Sequence, residues 1–167
     1  MSRRLVNLGL YALTLAVAAA GVVLAVTSVR AEEPALPAEG DPDLYAAVLE
    51  AAEEQAEAFV NVRYDDVDAS IDAVLDGATG EFEEQYESST SSVRRVLRQN
   101  RSVQEGEVVW AGVVDADAES AVVIVATQGT LANKATDDQP VARSFRLRLQ
   151  LTLVEDRWLT DDLQFVG

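Results

Sequence analysis

The spacing of apolar residues along the chain changes twice, and each part of the pattern predicts a different kind of structure. An unbroken apolar run from Leu8 to Val26 comes first. After a proline-rich stretch, apolar residues recur every three or four positions up to about residue 100, as they do on one face of a helix. From residue 103 onward the period falls to two, which is typical of strands with one buried face. The order predicts a membrane segment, then helices, then a sheet.

The apolar run is long enough to cross a bilayer. It has 19 residues, and its only polar groups are two hydroxyls. At 1.5 Å per residue such a helix spans roughly 28 Å, close to the thickness of a hydrocarbon core. We therefore predict a transmembrane signal anchor over residues 8–29. A cleaved secretory signal and a twin-arginine signal are alternatives, since Val29–Ala31 loosely fits a cleavage site and Arg3 and Arg4 precede the run. Secretory apolar regions are usually shorter, about 7–15 residues.

Charges on the two sides of the run predict its orientation. Arg3 and Arg4 precede it, whereas all 29 acidic residues lie at or beyond Glu32. By the positive-inside rule, residues 1–7 form a cytoplasmic tail and the chain beyond residue 30 lies outside. We therefore expect a single-pass protein of the cell membrane. Ten basic residues against 29 acidic ones follow Arg30, a net charge of −19, which argues against a nucleic-acid partner.

The exterior part divides into a linker and one α+β domain. Residues 30–43 hold three prolines, one glycine and several acids, so we predict an acidic, proline-rich linker. Residues 44–167 are predicted to form an extracytoplasmic domain in which three helices pack on a four-stranded antiparallel meander. The helices are predicted from about residue 44, from about 65 and from about 80, and the strands over 103–114, 120–133, 141–153 and 157–166.

The composition removes several kinds of chemistry. The chain has no cysteine and no histidine, which excludes disulfides, thiolate metal sites and histidine-based triads. The sequence Asp115-x-Asp117-x-Glu119 begins like a calcium loop, but Ser120 and Ala126 stand where an EF-hand needs glycine and glutamate. We therefore predict a solvated hairpin turn there. We expect no catalytic, cofactor-binding or metal-binding residues, and a protein that is not an enzyme.

Three arginines are the candidate contacts with a partner. Arg143, Arg146 and Arg148 lie in the predicted strand 141–153, and they are the one departure from the acidic field among the strands. Arg146 and Arg148 share a strand face, opposite the leucines that we expect to be buried. They could pair with the protein's own acids in weak surface contacts, or they could dock on an acidic or polar partner.

Short sequence motifs along most of the chain resemble those of the Mce-associated membrane proteins of actinobacteria. The motifs are Tyr64–Leu75 (YDDVDASIDAVL), Ala78–Phe82 (ATGEF), Val109–Val113 (VWAGV), Arg157–Leu159 (RWL) and Asp162–Leu163. They resemble that family's helix start, first strand and closing strand, and none of them is catalytic. Twelve arginines against one lysine also suit a GC-rich genome.

The resemblance implies a cone-shaped domain similar to nuclear-transport-factor-2-like (NTF2-like) or cystatin-like folds. It also implies an accessory role beside Mce-type lipid-transport complexes of the cell envelope, with no cofactor and no catalytic residues. Two alternatives are a lipid or small-molecule pocket between helices and sheet, and an isomerase or dehydratase of the same fold. A deep apolar pocket with one buried acid would favour these alternatives, and a cone filled by a helix would favour the accessory role.

Overall fold

In the computed structural model, which describes residues 41–167, three helices precede four long strands, and one short strand lies between the first two helices. The helices are α1 (Pro42–Val60), α2 (Val67–Asp76) and α3 (Gly80–Asn100). The strands are β1 (Val62–Arg63), β2 (Val103–Ala116), β3 (Ser120–Ala132), β4 (Val141–Val154) and β5 (Arg157–Phe165). One turn of 3-10 helix, Lys134–Thr136, lies between β3 and β4.

The sheet has the order β1-β2-β3-β4-β5, and every neighbouring pair is antiparallel. The predicted meander of four long strands is confirmed as β2 to β5. The prediction of four strands in total is wrong, because Val62 and Arg63 pair with Gln104 and Val103 as a fifth, edge strand. Two residues are too few to show a period of two, so the sequence indicated only a break between helices there.

Two extra residues in β2 bend the sheet. Val109 and Val114 fall at register shifts, so β2 has one residue more than β3 at each place. Such bulges increase the local twist, and the sheet curls around α1. A further constraint lies at Gly129, where an added Cβ would come within 2.0 Å of the carbonyl oxygen of Glu105. Only glycine allows the two strands to approach so closely there.

Helix α1 begins earlier than the predicted domain. Asp41 caps it, because its carboxylate accepts the N–H of Asp43 at 3.0 Å, and Pro42 occupies the first turn. The last two residues of the predicted linker, 42 and 43, are therefore helical. The predicted tail, membrane segment and remaining linker lie outside the described residues. Within residues 41–167, no helix is both long enough and apolar enough to cross a membrane.

The core lies between α1 and the concave, inner face of the sheet. Small residues of α1 pack against alternate residues of β3 and β4, as the leucine alternation of β4 predicted. The residues of this core that are at most 3% exposed are Val48, Ala52, Ala56, Val60, Ala121, Val123, Val125, Leu147, Leu149 and Leu151. A smaller cluster of Val67, Ile71 and Leu97 holds α2 against α3.

The turn between α2 and α3 lies along the outer edge of β5. The N–H of Thr160 donates to the carbonyl of Gly77 at 2.8 Å, and the N–H of Thr79 donates to the carbonyl of Thr160 at 2.8 Å. These bonds satisfy backbone groups that an edge strand would otherwise leave open. Both edges of the sheet are thus partly covered, by β1 at one side and by this turn at the other.

Candidate functional site

The interior of the domain is filled rather than hollow. Side chains from α1 and the sheet occupy the space that a cone-shaped fold could use for a ligand. The buried polar residues of the described chain are Gln55, Ser102, Thr127 and Thr160, and no aspartate or glutamate is among them. A carboxyl group tuned for acid–base work needs a desolvated setting, and this interior holds none within residues 41–167.

An open groove of about 940 Å³ lies beside the core. Ala58, Ala69 and Ala73 form its helical wall, and the other wall includes the glycines and polar residues at the starts of β2 and β4. Within it the guanidinium of Arg63 is 3.2 Å from the Asp65 carboxylate, and this ion pair lowers the pKa of Asp65 and raises that of Arg63. The groove is therefore an open surface feature in which charged and amide side chains face an alanine-lined helical wall.

The outer face of the sheet, which points away from α1, is left uncovered by the helices of residues 41–167. Residues paired across antiparallel strands project on the same side of a sheet. The register therefore places four rows of side chains on this face, each written from β2 through β3 to β4. The rows are Glu107–Gln128–Ser144, Trp110–Ala126–Arg146, Gly112–Ile124–Arg148 and Asp115–Val122–Gln150.

Trp110 dominates the apolar part of the outer face. It is 57% exposed, which is unusual for the largest side chain in a folded domain. An added Cβ at Gly112 would come within 2.6 Å of the indole, so the ring lies over Gly112 along the surface of β2. Val109 and Val114, at the two bulges, are 49% and 60% exposed. Exposed apolar groups in this density mark an interaction surface.

The three predicted arginines do not form one cluster. Arg146 and Arg148 lie on the outer face, as predicted. Arg148 is 4.0 Å from the Asp162 carboxylate, and Arg146 has no carboxylate within 4.0 Å in the part of the chain that the structure describes. Arg143 lies on the same face of β4 as Phe145, which is the inner face, and it lines the groove described above. Arg143 therefore lies on the opposite side of the sheet from Arg146 and Arg148, because an odd-numbered spacing along a strand changes the face.

Sequence reasoning missed Trp110 as part of this surface. Strict alternation along β2 would place Trp110 on the buried face, because an alternating apolar strand normally buries its aromatic residues. The bulge at Val109 shifts the alternation by one residue and turns Trp110 outward. No periodicity signal reveals a bulge, although the consecutive apolar residues Val108, Val109 and Trp110 break strict alternation.

The acidic loop after β2 is a hairpin turn, as predicted. The Oδ1 atom of Asp117 accepts the N–H of Glu119 at 2.9 Å and that of Ser120 at 2.8 Å. These backbone hydrogen bonds stabilise the carboxylate and lower the pKa of Asp117. The carboxylate is thus engaged in holding the turn. Among residues 41–167, no group of three acidic side chains is placed to hold a metal ion.

A family model described as "Uncharacterized protein Rv1363c/MT1408-like" matches residues 14–166 of the chain. The uncharacterized protein Rv1363c of Mycobacterium tuberculosis (strain ATCC 25618 / H37Rv) is 31% identical over 94 residues, which are 56% of this chain and 35% of that protein. The matched segment thus spans about a third of the length of this relative.

Solved structures share the fold at low sequence identity. An IcmL-like type IV secretion system protein of Legionella pneumophila aligns with a TM-score of 0.62 at 14% identity, covering 76% of this chain and 94% of that one. The periplasmic domain of DotI aligns at 0.61 and 12% identity, covering 73% and 94%. A ketosteroid isomerase-like protein of Erwinia carotovora atroseptica aligns at 0.55 and 19% identity, covering 76% and 99%. The fold is therefore α+β, three helices on a curled antiparallel sheet as in NTF2-like proteins.

Proposed function

The chain belongs to the Rv1363c/MT1408-like family, and from this we propose that it is a non-enzymatic, single-pass membrane accessory protein. Its domain lies outside the cytoplasm and supports the assembly or stability of an Mce-type lipid-transport complex in the cell envelope. The contact with other proteins is made by the outer face of the sheet. No cofactor takes part.

One observation supports this proposal: the interior of the described domain is filled with side chains, and the outer face of its sheet is exposed. Its core is filled, whereas Trp110 and Arg146 stand on a broad sheet face that the helices leave free. Tryptophan and arginine are the residue types most enriched where protein partners bind tightly. An arginine without a nearby acid retains all of its hydrogen-bond donors for a partner.

The structural neighbours support a membrane-associated role by analogy of fold. One is a type IV secretion system protein and another is a periplasmic domain, according to their descriptions. A shared fold carries no function by itself, so the Mce-type partner rests on the local sequence motifs rather than on these structures.

The charge distribution supports attachment through residues 8–29 rather than through the domain surface. The chain enters the domain at Asp41, and the first half of α1 lies beside the turn between β4 and β5, where Glu155 and Asp156 are exposed. The neighbouring turn after β2 adds Asp117 and further acids. Anionic head groups repel such an end, with an effect on the order of 1 kcal/mol for each charge near the surface.

A second candidate function is the binding of a small ligand in the open groove. Its volume of about 940 Å³ is in the range of ligand sites. Its lining combines an alanine wall with arginine, carboxylate and amide groups, which suits a small ligand that has both an apolar and a polar part. An isomerase or dehydratase activity has less support, because no aspartate or glutamate of the described chain is among its fully buried residues.

The proposal is tested by purifying the full-length chain in mild detergent from actinobacterial membranes and measuring the co-purified Mce-type proteins by immunoblot. We expect the double variant Arg146→Gln/Arg148→Gln to lower their yield several-fold. The matched control is Arg95→Gln/Arg98→Gln on α3, which removes the same charge from another exposed surface. Equal yields for the wild type and both variants would refute the assignment of the outer face. Absence of Mce-type proteins from the wild-type sample would refute the proposed partner.

A further inference from the structure

We propose that the outer face of the sheet binds a second copy of this chain, face to face, around a two-fold axis that runs along β3. This inference deepens the proposed function and rests on it for the use of this face. The partner that contacts this face directly is then a second copy of the chain, and the association with Mce-type proteins depends on the pair that the two copies form.

The register of the sheet dictates what such an axis brings together. A two-fold axis in the contact plane and parallel to β3 places β2 of each copy over β4 of the other, at the same level along the strands. Trp110, Ala126 and Arg146 occupy one row. Because the indole of Trp110 lies over Gly112, whose row ends at Arg148, the ring of one copy meets the guanidinium groups of Arg146 and Arg148 in the second copy. The same contact recurs on the other side of the axis. A guanidinium on an indole face is the strongest cation–π arrangement that protein side chains make.

The charges of β2 and β4 complement each other across this axis. The outer-face residues of β2 are, in order, Glu107, Trp110, Gly112 and Asp115, so an acid stands at each end of this series. On β4 the two middle rows carry Arg146 and Arg148, between Ser144 and Gln150. Each arginine thus lies within one row, roughly 7 Å along the strand, of an acid on the second copy. An arginine side chain spans that distance.

Local charge balance explains how so acidic a chain could associate with itself. The chain as a whole carries −16, but the outer face mixes Arg146 and Arg148 with Glu107, Asp115 and Asp162. A surface of mixed sign fits a copy of itself better than it fits a strongly basic or a strongly acidic partner. The absence of an acid within 4.0 Å of Arg146 among the described residues leaves that guanidinium free for the contact.

The centre of the face allows close approach. Val122, Ile124 and Ala126 of β3 lie on the axis and are partly exposed. Sheets that pack face to face lie about 10 Å apart with such side chains between them. Gly112 adds no side chain, and the Trp110 ring lies over it. Apolar groups therefore occupy the middle of the contact, and charged groups occupy its sides.

A charge-swap experiment tests this geometry with two full-length variants. Variant A carries Arg146→Glu and Arg148→Glu, and variant B carries Glu107→Arg and Asp115→Arg. In an A–A pair acids face acids, and in a B–B pair arginines face arginines. In an A–B pair both halves of the contact join opposite charges. Self-association is measured by energy transfer between fluorescently labelled chains in mild detergent, with micelles in excess over protein.

We expect A alone and B alone to associate at least about tenfold more weakly than the wild type, since each loses or opposes both charged contacts of the pair. We expect the mixture of A and B to recover most of the wild-type association. Recovery in the mixture also shows that both variants are folded. A mixture that associates no better than A or B alone would overturn the proposal, and so would a variant A that associates like the wild type.

The absence of cysteine permits a second test. A single Ala126→Cys lies on the proposed axis, where it meets its own counterpart in the second copy. The matched control is Ser91→Cys on the exposed surface of α3. With a short bis-maleimide, we expect at least a tenfold higher yield of cross-linked dimer from Ala126→Cys in dilute detergent solution. Equal cross-linking of the two positions would refute the axis along β3.

The two proposals fail in distinguishable ways. Wild-type self-association with no Mce-type protein in the purified sample would refute the proposed function and leave the second copy in place. The opposite result is also possible: the wild type does not self-associate, and the variant Arg146→Gln/Arg148→Gln loses the co-purified Mce-type proteins. This result would retain the proposed function and refute the binding of a second copy.

Discussion

Replacing Leu149 by aspartate should unfold the domain. Leu149 is completely buried, pairs with Val123 on one side and Leu163 on the other, and belongs to the core cluster beneath α1. Removing a buried leucine side chain costs about 2–5 kcal/mol. Placing an unpaired carboxylate in the same position adds several kcal/mol more, whereas the total stability of a domain is only about 5–15 kcal/mol. The substitution therefore removes most or all of the free energy of unfolding.

The matched control is Arg148→Asp, which introduces the same side chain one residue earlier on the outer face. There it loses only a 4.0 Å contact with the Asp162 carboxylate, at a cost of about 1 kcal/mol or less. Unfolding of the full-length chains in mild detergent is followed with urea by tryptophan fluorescence. Both tryptophans, Trp110 and Trp158, lie in the sheet. A wild-type midpoint for Leu149→Asp would show that the assignment of the two faces is wrong.

Three further predictions follow from particular features. Gly129→Ala should lower the free energy of unfolding by about 1–3 kcal/mol in the same urea assay, because the new Cβ would strike the backbone carbonyl of Glu105; an unchanged midpoint would contradict the close approach of the strands. The Asp117 carboxylate should titrate below its ordinary pKa in a carbon-detected NMR titration, since two backbone N–H groups hold its charged form. Its contribution to stability is present above the pKa of the unfolded chain and disappears as the pH falls through the lowered pKa; an ordinary midpoint would show that the turn is open in solution. Finally, the chain should remain in the membrane pellet after a high-salt wash, with Met1 or Ser2 as its first residue, if residues 8–29 are an uncleaved anchor. A soluble product that begins near Glu32 would identify a cleaved signal.

Sequence periodicity predicted the long elements because burial is imposed on them along their whole length. The alternation of β4 placed Leu147, Leu149 and Leu151 inside and Arg146 and Arg148 outside, and the structure confirms each assignment. A strand packed on one face can hardly change register, since a shift of one residue would expose every leucine. The predicted starts of the helices, at about residues 44, 65 and 80, lie within about two residues of the observed starts at Pro42, Val67 and Gly80.

Structural features that involve only one or two residues were not predicted from the sequence. Strand β1 has only two residues, so its partner in β2 decides that it is a strand at all. The outward position of Trp110 depends on the bulge at Val109, which arises because β2 must curl around α1. Neither feature has a local pattern, because both are set by a neighbour that is distant in sequence.

The sequence by itself determined the α+β order, the buried face of β4 and the absence of cysteine and histidine chemistry, because these depend on composition and on periodicities that span many residues. Only the tertiary structure decided how the candidate contacts are grouped. It brought Trp110 of β2 into the row of Arg146 on β4. It also filled the interior that a cone-shaped fold can leave empty. Trp110 and Arg146 are more than thirty positions apart and are joined through β3, and the register of that pairing follows from packing across the whole domain rather than from any local pattern.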